Sequence, residues 1–254
     1  MRKPPRKNAD RIKDDRRARF SREVRVLYED EAVVVLDKPP GLLAVPIKGS
    51  DTPSALSILS ASLRSAAAKG RRQRAFVVHR IDRFASGILL FARTEQDRDA
   101  LIRQFLAHTP VRQYLAVVRG RVSPEAGTLV HYFRREGFHQ QLSTAGGRDA
   151  ARAELHYSVE RAFKGTSLVR VELVTGLQNQ IRAQFAAIGN PVIGDRKYQP
   201  EEAEEKLIDR VALHAAYLEF QHPRSGQPVV IDCEPPGDFQ KLVKALSHPT
   251  GSER

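Results

Sequence analysis

The chain has 254 residues, 41% of them hydrophobic, and its 42 lysines and arginines outnumber 30 acidic residues to give a formal net charge of +12. This length and apolar content suffice for a packed core, and no apolar run approaches the length of a membrane span. The single cysteine, Cys233, excludes a disulfide framework and any zinc site built from several cysteines. So large a basic surplus is typical of proteins that bind nucleic acid. We therefore expect a protein of a reducing, cytoplasmic compartment whose partner is nucleic acid or another anionic surface, with no segment that spans a membrane.

Much of the positive charge lies at the N-terminus, where residues 1–25 hold eleven lysines and arginines but only four acids. Residues 1–23 contain almost no apolar side chains, so we predict a disordered basic arm. Two interpretations of this arm stay open: it folds on contact with RNA, or it is a solubilising tail. One domain is predicted over 24–245, followed by a flexible tail over 246–254.

The predicted elements start with two strands at 24–28 and 32–36, which precede the chain-breaking sequence Lys-Pro-Pro-Gly at 38–41. The later strands are predicted at 76–78, 88–91, 111–118, 128–133, 141–145, 152–160, 167–174, 216–220 and 228–233. The helices are predicted at 51–70, 94–105, 181–189 and 201–206 and from Asp238 onward. Many strands with irregularly placed helices predict an α+β domain with a mixed, mostly antiparallel central sheet and flanking helices.

A single carboxylate stands between two arginines at residues 79–87, which read His-Arg-Ile-Asp-Arg-Phe-Ala-Ser-Gly. The apolar runs on either side predict strands, so Asp82 is expected on a turn between them. Arg80 and Arg83 favour its ionised form, which suits a nucleophile or general base that acts on a polyanion. Taken alone, however, the turn favours a structural ion pair.

Several common active sites are excluded by their missing motifs. The chain has no phosphate-binding Gly-x-x-x-x-Gly-Lys loop, no Gly-x-Gly-x-x-Gly fingerprint and no Gly-x-Ser-x-Gly nucleophile elbow. Its eight histidines lack the spacing of metal ligands. We expect neither a nucleotide cofactor nor a metal.

Five ordered segments resemble the motifs of the RluA-type family of RNA pseudouridine synthases. Residues 79–92 are similar to the family signature His-Arg-Leu-Asp-x-x-Thr-Ser-Gly-Leu-Leu-Leu-Phe-Ala. The other four segments are 28–41, with its Lys-Pro-x-Gly turn, 114–120, with its leading tyrosine, 175–198, and 213–223. The resemblance covers about residues 24–236. It implies the pseudouridine synthase fold with an RNA-binding cleft, and no cofactor or metal.

The resemblance also implies roles for particular residues. Asp82 would be the nucleophile that lets the N1–C1′ bond of uridine break and the base rebond through C5; attack on the ribose and attack on the base both stay open. Arg182 would pair with Asp82, and Tyr114 would lie against the target base. Arg80 would enter the space left by the flipped nucleotide. The further RNA contacts are expected at Lys38, Arg71, Arg72 and Arg74.

The chain departs from the family pattern in the third motif, usually Thr-Gly-Arg-x-His-Gln-Ile-Arg, where Leu177 and Asn179 replace the arginine and the histidine.

The leading hypothesis is a monomeric enzyme that modifies structured RNA, with ribosomal RNA preferred over transfer RNA. The departures motivate an alternative, a non-catalytic RNA-binding or ribosome-assembly protein on the same scaffold. A separate S4-like RNA-binding domain is not expected, since too few residues precede the first strand to form a core.

Overall fold

The computed structural model describes residues 6–67, 74–136, 139–143, 150–198 and 208–247. Its strands are β1 (Arg25–Glu29), β2 (Val33–Lys38), β3 (Phe76–Val77), β4 (Ser86–Ala92), β5 (Val111–Arg119), β6 (Ala126–Glu136), β7 (His139–Ser143), β8 (Ala150–Phe163), β9 (Thr166–Leu173), β10 (Leu213–Gln221) and β11 (Pro228–Asp232). Its helices are α1 (Arg6–Glu23), α2 (Ala55–Ala67), α3 (Glu95–Leu106), α4 (Gln180–Ala187) and α5 (Gly237–Ser247).

The chain divides into two compact units. One comprises Met1–Pro110 and Glu219–Cys233, and the other comprises Val111–Leu218 and Glu234–Arg254. Strand β10 therefore contributes residues to both. The α+β class is confirmed, and every strand pair whose register is described is antiparallel.

The first unit is organised around β2 and β4, whose residues are all buried. These strands pair antiparallel, with Lys38 opposite Gly87, so β2 ends where β4 begins. Their apolar side chains pack against α2, whose Leu59 and Leu63 belong to the same core. The leucine spacing that predicted α2 thus marks its buried face. The end of β2 and the start of β4 are therefore held in place by this buried core.

Helix α1 occupies residues 6–23, the segment that the sequence predicts as a disordered arm. The state of the arm in the absence of RNA stays a prediction. Phe20 is half-buried and packs against the core of the first unit, together with Val24. The Phe20 side chain thus makes an apolar contact that the mainly polar composition of the arm does not reveal. Residues 1–5 lie outside the described part of the chain. The limits of the single domain and of the tail stay predictions.

Helix α3 begins as its sequence predicts, with Thr94 as N-cap accepting a hydrogen bond from the backbone N–H of Asp97. The buried Asp97 carboxylate in turn accepts from Arg224, Nε to Oδ1 at 3.0 Å and Nη2 to Oδ2 at 2.8 Å. The hydrogen bond from Arg224 lowers the pKa of Asp97 below its usual value, against the opposing effect of burial. This pair links the start of α3 to the turn between β10 and β11.

We expect Asp97→Asn to lower the free energy of unfolding at pH 7 by about 2 kcal/mol, since charge-assisted hydrogen bonds are lost. Because the folded-state pKa is depressed, the contribution is complete above the unfolded pKa of about 4 and disappears as the pH falls through the folded value. Urea unfolding should show a constant difference from wild type between pH 8 and 5 that narrows below about pH 4. Asp99→Asn, an exposed position on the same helix, is the control. A difference that does not narrow in acid would contradict this account.

The second unit contains an antiparallel sheet in the order β5-β9-β8-β6-β7, with β10 beside β5. Helix α4 packs on the sheet through Ile181 and Phe185, two residues of the apolar stripe Ile181, Phe185 and Ile188 that its sequence predicts. The prediction is wrong for Ile188, which is exposed just beyond the helix. Phe185 meets the ring of Tyr157 edge-on, with centroids 5.7 Å apart. The first turn of helix α5 contains Asp238, whose carboxylate forms a bidentate pair with Arg210. The helix predicted at 201–206 lies outside the described residues.

Candidate active site

Asp82 lies on the turn that leads into β4, as its sequence predicts. The carbonyl of Asp82 accepts a hydrogen bond from the backbone N–H of Ala85 at 3.2 Å, which closes the turn. The neighbours Ile81 and Ala85 are buried, whereas Asp82 is half-buried and Arg83 is exposed. The carboxylate is thus presented from a backbone that is anchored on both sides.

Lys38 contradicts its predicted role as an RNA contact, because its side chain is fully buried. Its Nζ lies within hydrogen-bonding distance of four carbonyl oxygens, those of Pro39 at 3.0 Å, Leu42 at 2.9 Å, Arg83 at 3.1 Å and Ala85 at 2.7 Å. An ammonium group has three N–H bonds, so these carbonyls share its donors. Lys38 therefore joins the turn after β2 to the turn that carries Asp82.

A second connection links the same two turns through Gly41 and Arg83. The backbone N–H of Gly41 donates to the carbonyl of Arg83 at 2.8 Å, and Nε of Arg83 donates to the carbonyl of Gly41 at 3.0 Å. The guanidinium of Arg83 also lies over the ring of Phe84, 5.3 Å from its centroid. Arg83 thus has a structural role beside Asp82.

The other predicted RNA contacts have different outcomes. Arg80 and Arg74 are exposed, as a phosphate contact requires, while Arg71 and Arg72 lie outside the described residues.

Phe84, which sequence reasoning did not assign, is 47% exposed in the turn after Asp82. An exposed aromatic ring at this place offers a flat surface on which a base can stack.

Tyr114 lies on β5 and is largely buried. Arg112 precedes it by two residues, so both side chains leave the strand on the same face. The Nη2 group of Arg112 donates to the carbonyls of Leu173 at 3.1 Å and Val174 at 2.9 Å. Burial lowers the pKa of Arg112, and Tyr114 opposes this effect electrostatically. Arg112 thus connects the tyrosine strand to the loop that precedes α4.

The glycine of the Thr-Gly sequence at 175–176 is required by that connection. A Cβ atom on Gly176 would lie 2.7 Å from Nη1 of Arg112, closer than any normal contact. Downstream of Gly176, the buried Gln180 side chain holds the loop: its Oε1 accepts from Thr175 Oγ1 and from the backbone N–H of Leu177, each at 2.9 Å. The loop is therefore rigid up to the first residue of α4.

Arg182 is oriented by Asp195, a residue of the third motif to which the sequence assigned no role. Arg182 donates from Nε to Oδ2 at 2.6 Å and from Nη2 to Oδ1 at 2.7 Å, a bidentate pair with a fully buried carboxylate. The loop that supplies Asp195 approaches another chain segment closely at Gly194, where a Cβ atom would lie 1.9 Å from the carbonyl oxygen of Arg210. Gly194 therefore marks this close approach in the sequence, because a residue with a side chain would not fit there.

The two departures in the third motif each have a local contact. Leu177 packs against the small apolar cluster of Phe133, Ala153 and Ala183. Asn179 accepts a hydrogen bond at Oδ1 from Nη1 of Arg182 at 2.7 Å. Asp82 belongs to the first unit, whereas Tyr114 and Arg182 belong to the second, so their predicted meeting at one site stays a prediction.

Within the described ranges, no cluster of three or more His, Cys, Asp or Glu side chains is arranged to hold a metal ion. Over the same ranges, no helix combines the length and the apolar character needed to cross a membrane.

Comparison with known proteins defines the class. The family described as RNA pseudouridylate synthase matches residues 32–187. An uncharacterized RNA pseudouridine synthase of Bacillus subtilis is 35% identical over 223 residues, which cover 87% of this chain and 72% of that protein. A protein of Xanthomonas campestris named ribosomal large subunit pseudouridine synthase D is 37% identical over 232 residues, 87% of this chain and 69% of its own.

Solved structures agree on the fold. Human RNA pseudouridylate synthase domain containing 4 superimposes with a TM-score of 0.75 at 18% identity, over 94% of this chain and 98% of that one. Human RNA pseudouridylate synthase domain containing 1 gives 0.68 at 22% identity, over 85% of each chain. The pseudouridine synthase fold is confirmed.

The chain belongs to the RluA-type family of RNA pseudouridine synthases. It is an isomerase that converts uridine to pseudouridine in RNA. The catalytic hypothesis is thereby confirmed over the alternative of a non-catalytic RNA-binding protein.

Proposed function

We propose that this enzyme modifies uridines in structured RNA, with ribosomal RNA of the large subunit as the preferred substrate and transfer RNA as the second choice. The presentation of Asp82 is the observation that carries the proposal, since a half-buried carboxylate stands on a turn tied down through Lys38, Gly41 and Arg83. The preference for ribosomal RNA is supported by several relatives named ribosomal large subunit pseudouridine synthase D.

In this proposal Asp82 is the nucleophile. Its attack forms a covalent bond to the ribose or to the base and allows the N1–C1′ bond of the flipped uridine to break. A C5–C1′ bond then forms, and the bond to Asp82 breaks to release the free carboxylate. C5 then loses its proton and N1 gains one, so the reaction is a balanced isomerisation that needs no redox cofactor or metal. Tyr114 contacts the target base and assists removal of the C5 proton, and Arg182 keeps Asp82 ionised and oriented. Arg80 occupies the space that the flipped nucleotide leaves.

The assay that tests the proposal is release of tritium from C5-labelled uridine in ribosomal and transfer RNA. We expect release from ribosomal RNA that rises with time to a plateau set by the number of target uridines. Mapping of pseudouridines in RNA from cells with and without the protein would then identify the sites. If neither RNA releases tritium at physiological salt, the proposed substrates are wrong.

The surface around the Asp82 turn supports RNA binding through phosphates. Arg80 is exposed two residues before Asp82. Phe20 anchors α1 on the same unit, and a Cβ atom on Gly41, which is hydrogen-bonded to the Asp82 turn through Arg83, would lie 3.7 Å from the Phe20 ring. The exposed arginines of α1 would therefore stand beside the turn that receives the substrate. We propose that the arm contacts RNA, that the enzyme acts as a monomer and that it works in the cytoplasm.

Arg16→Gln combined with Arg17→Gln, both exposed on α1, is expected to weaken RNA binding. Each lost phosphate contact reduces the slope of log affinity against log salt by about 0.7 to 0.9, so the slope should decrease by about 1.5. Filter binding between 50 and 300 mM salt measures it. Arg103→Gln with Arg121→Gln, exposed on other elements, is the matched control. An unchanged slope in the α1 variant would favour the solubilising tail.

A further inference from the structure

Asn179 has two local features that the helix it precedes does not explain. It is the N-cap residue of α4, yet its side chain makes no capping hydrogen bond, although asparagine at this position ordinarily caps the helix. Its backbone is left-handed, with φ at +55°, a conformation that asparagine adopts more readily than most other residues. An uncommon backbone conformation combined with an unused cap indicates that the side chain is needed elsewhere.

The side chain is used to hold Arg182. Its Oδ1 accepts from Nη1 at 2.7 Å, while Asp195 binds Nε and Nη2. A guanidinium is planar with fixed donor directions, so contacts on two of its sides determine both its position and its rotation. The ring of Tyr198 lies 5.5 Å from the guanidinium carbon and limits its remaining movement.

The type of side chain also matters. Asp195 already offsets part of the positive charge of Arg182, and a second carboxylate would offset more of it. A neutral amide orients the guanidinium without reducing the field that Arg182 would exert on an aspartate nucleophile.

We infer that Asn179 is a positioning residue for the isomerisation and that it acts by fixing the guanidinium of Arg182. This chain carries it where the family pattern has histidine. The inference rests on the proposed role of Arg182.

The test compares two substitutions in single-turnover tritium release. Asn179→Gly removes the amide but adopts the left-handed backbone without strain. Loss of the Oδ1 contact leaves the Arg182 guanidinium free to rotate away from its productive orientation, so we expect the chemical rate to fall about tenfold or more, with unchanged RNA affinity. Asn179→Asp keeps an acceptor oxygen and tolerates the same backbone but adds charge. It should also lower the rate, although it retains the contact.

A rate within twofold of wild type in Asn179→Gly would overturn the inference and leave only a backbone role. If Asn179→Gly is unstable, the rate of Asn179→Asp tests the inference instead. An unchanged rate in Asn179→Asp would contradict the argument that a second carboxylate beside Arg182 weakens its positive charge. Arg182→Lys and Asp82→Asn separate this inference from the proposed function. Should both keep wild-type rates, the proposed function fails; should both lose activity while Asn179→Gly keeps it, only the inference fails.

Discussion

Asp82→Asn is expected to abolish tritium release, by at least about 10⁴-fold, because removal of a nucleophile removes the covalent pathway itself. Asparagine has the same size, and the hydrogen bond that closes the turn uses the backbone carbonyl of residue 82. The folded structure should therefore persist, as should RNA affinity. Circular dichroism, filter binding and tritium release on one preparation measure the three properties.

Asp99→Asn is the matched control for this substitution. It removes a carboxylate from an exposed position of α3 in the same unit, and we expect wild-type activity. Asp82→Asn with substantial residual release would mean that another group carries the attack. An equal loss of tritium release in Asp82→Asn and Asp99→Asn would indicate an effect of the lost negative charge rather than the loss of a nucleophile.

Lys38→Met is the second substitution with a large expected effect. Methionine fills a similar apolar space but offers no donor to the four carbonyl oxygens that Nζ now satisfies. Unsatisfied buried acceptors cost about 1 to 3 kcal/mol each, so the free energy of unfolding should fall by at least about 3 kcal/mol. Since two of these carbonyls belong to Arg83 and Ala85, the turn that carries Asp82 would lose its support and activity would fall as well.

Urea unfolding and tritium release measure these two consequences, with Lys48→Met, at an exposed loop position, as the control. An RNA contact at Lys38 would instead predict weaker RNA binding with unchanged stability. That result would contradict the structural role and restore the original prediction from the sequence.

The local elements of this protein were predictable because their signals are short-range. The leucine spacing of α2, the Thr94 cap of α3 and the buried stripe of α4 each depend on residues within one or two helical turns. The contact of Phe20 with the core of the first unit was not predicted, because averages over composition do not detect one anchoring side chain.

The sequence by itself determined the family, the fold class and the candidate nucleophile, because motif order and residue type are properties of the chain. It could not distinguish a lysine that contacts RNA from one that is buried under four carbonyls, since burial depends on segments 45 or more positions apart. It also named Arg182 without its supports, Asp195 and Asn179. Only the tertiary structure decided these roles, because hydrogen-bond partners are set by which backbone turns meet in space.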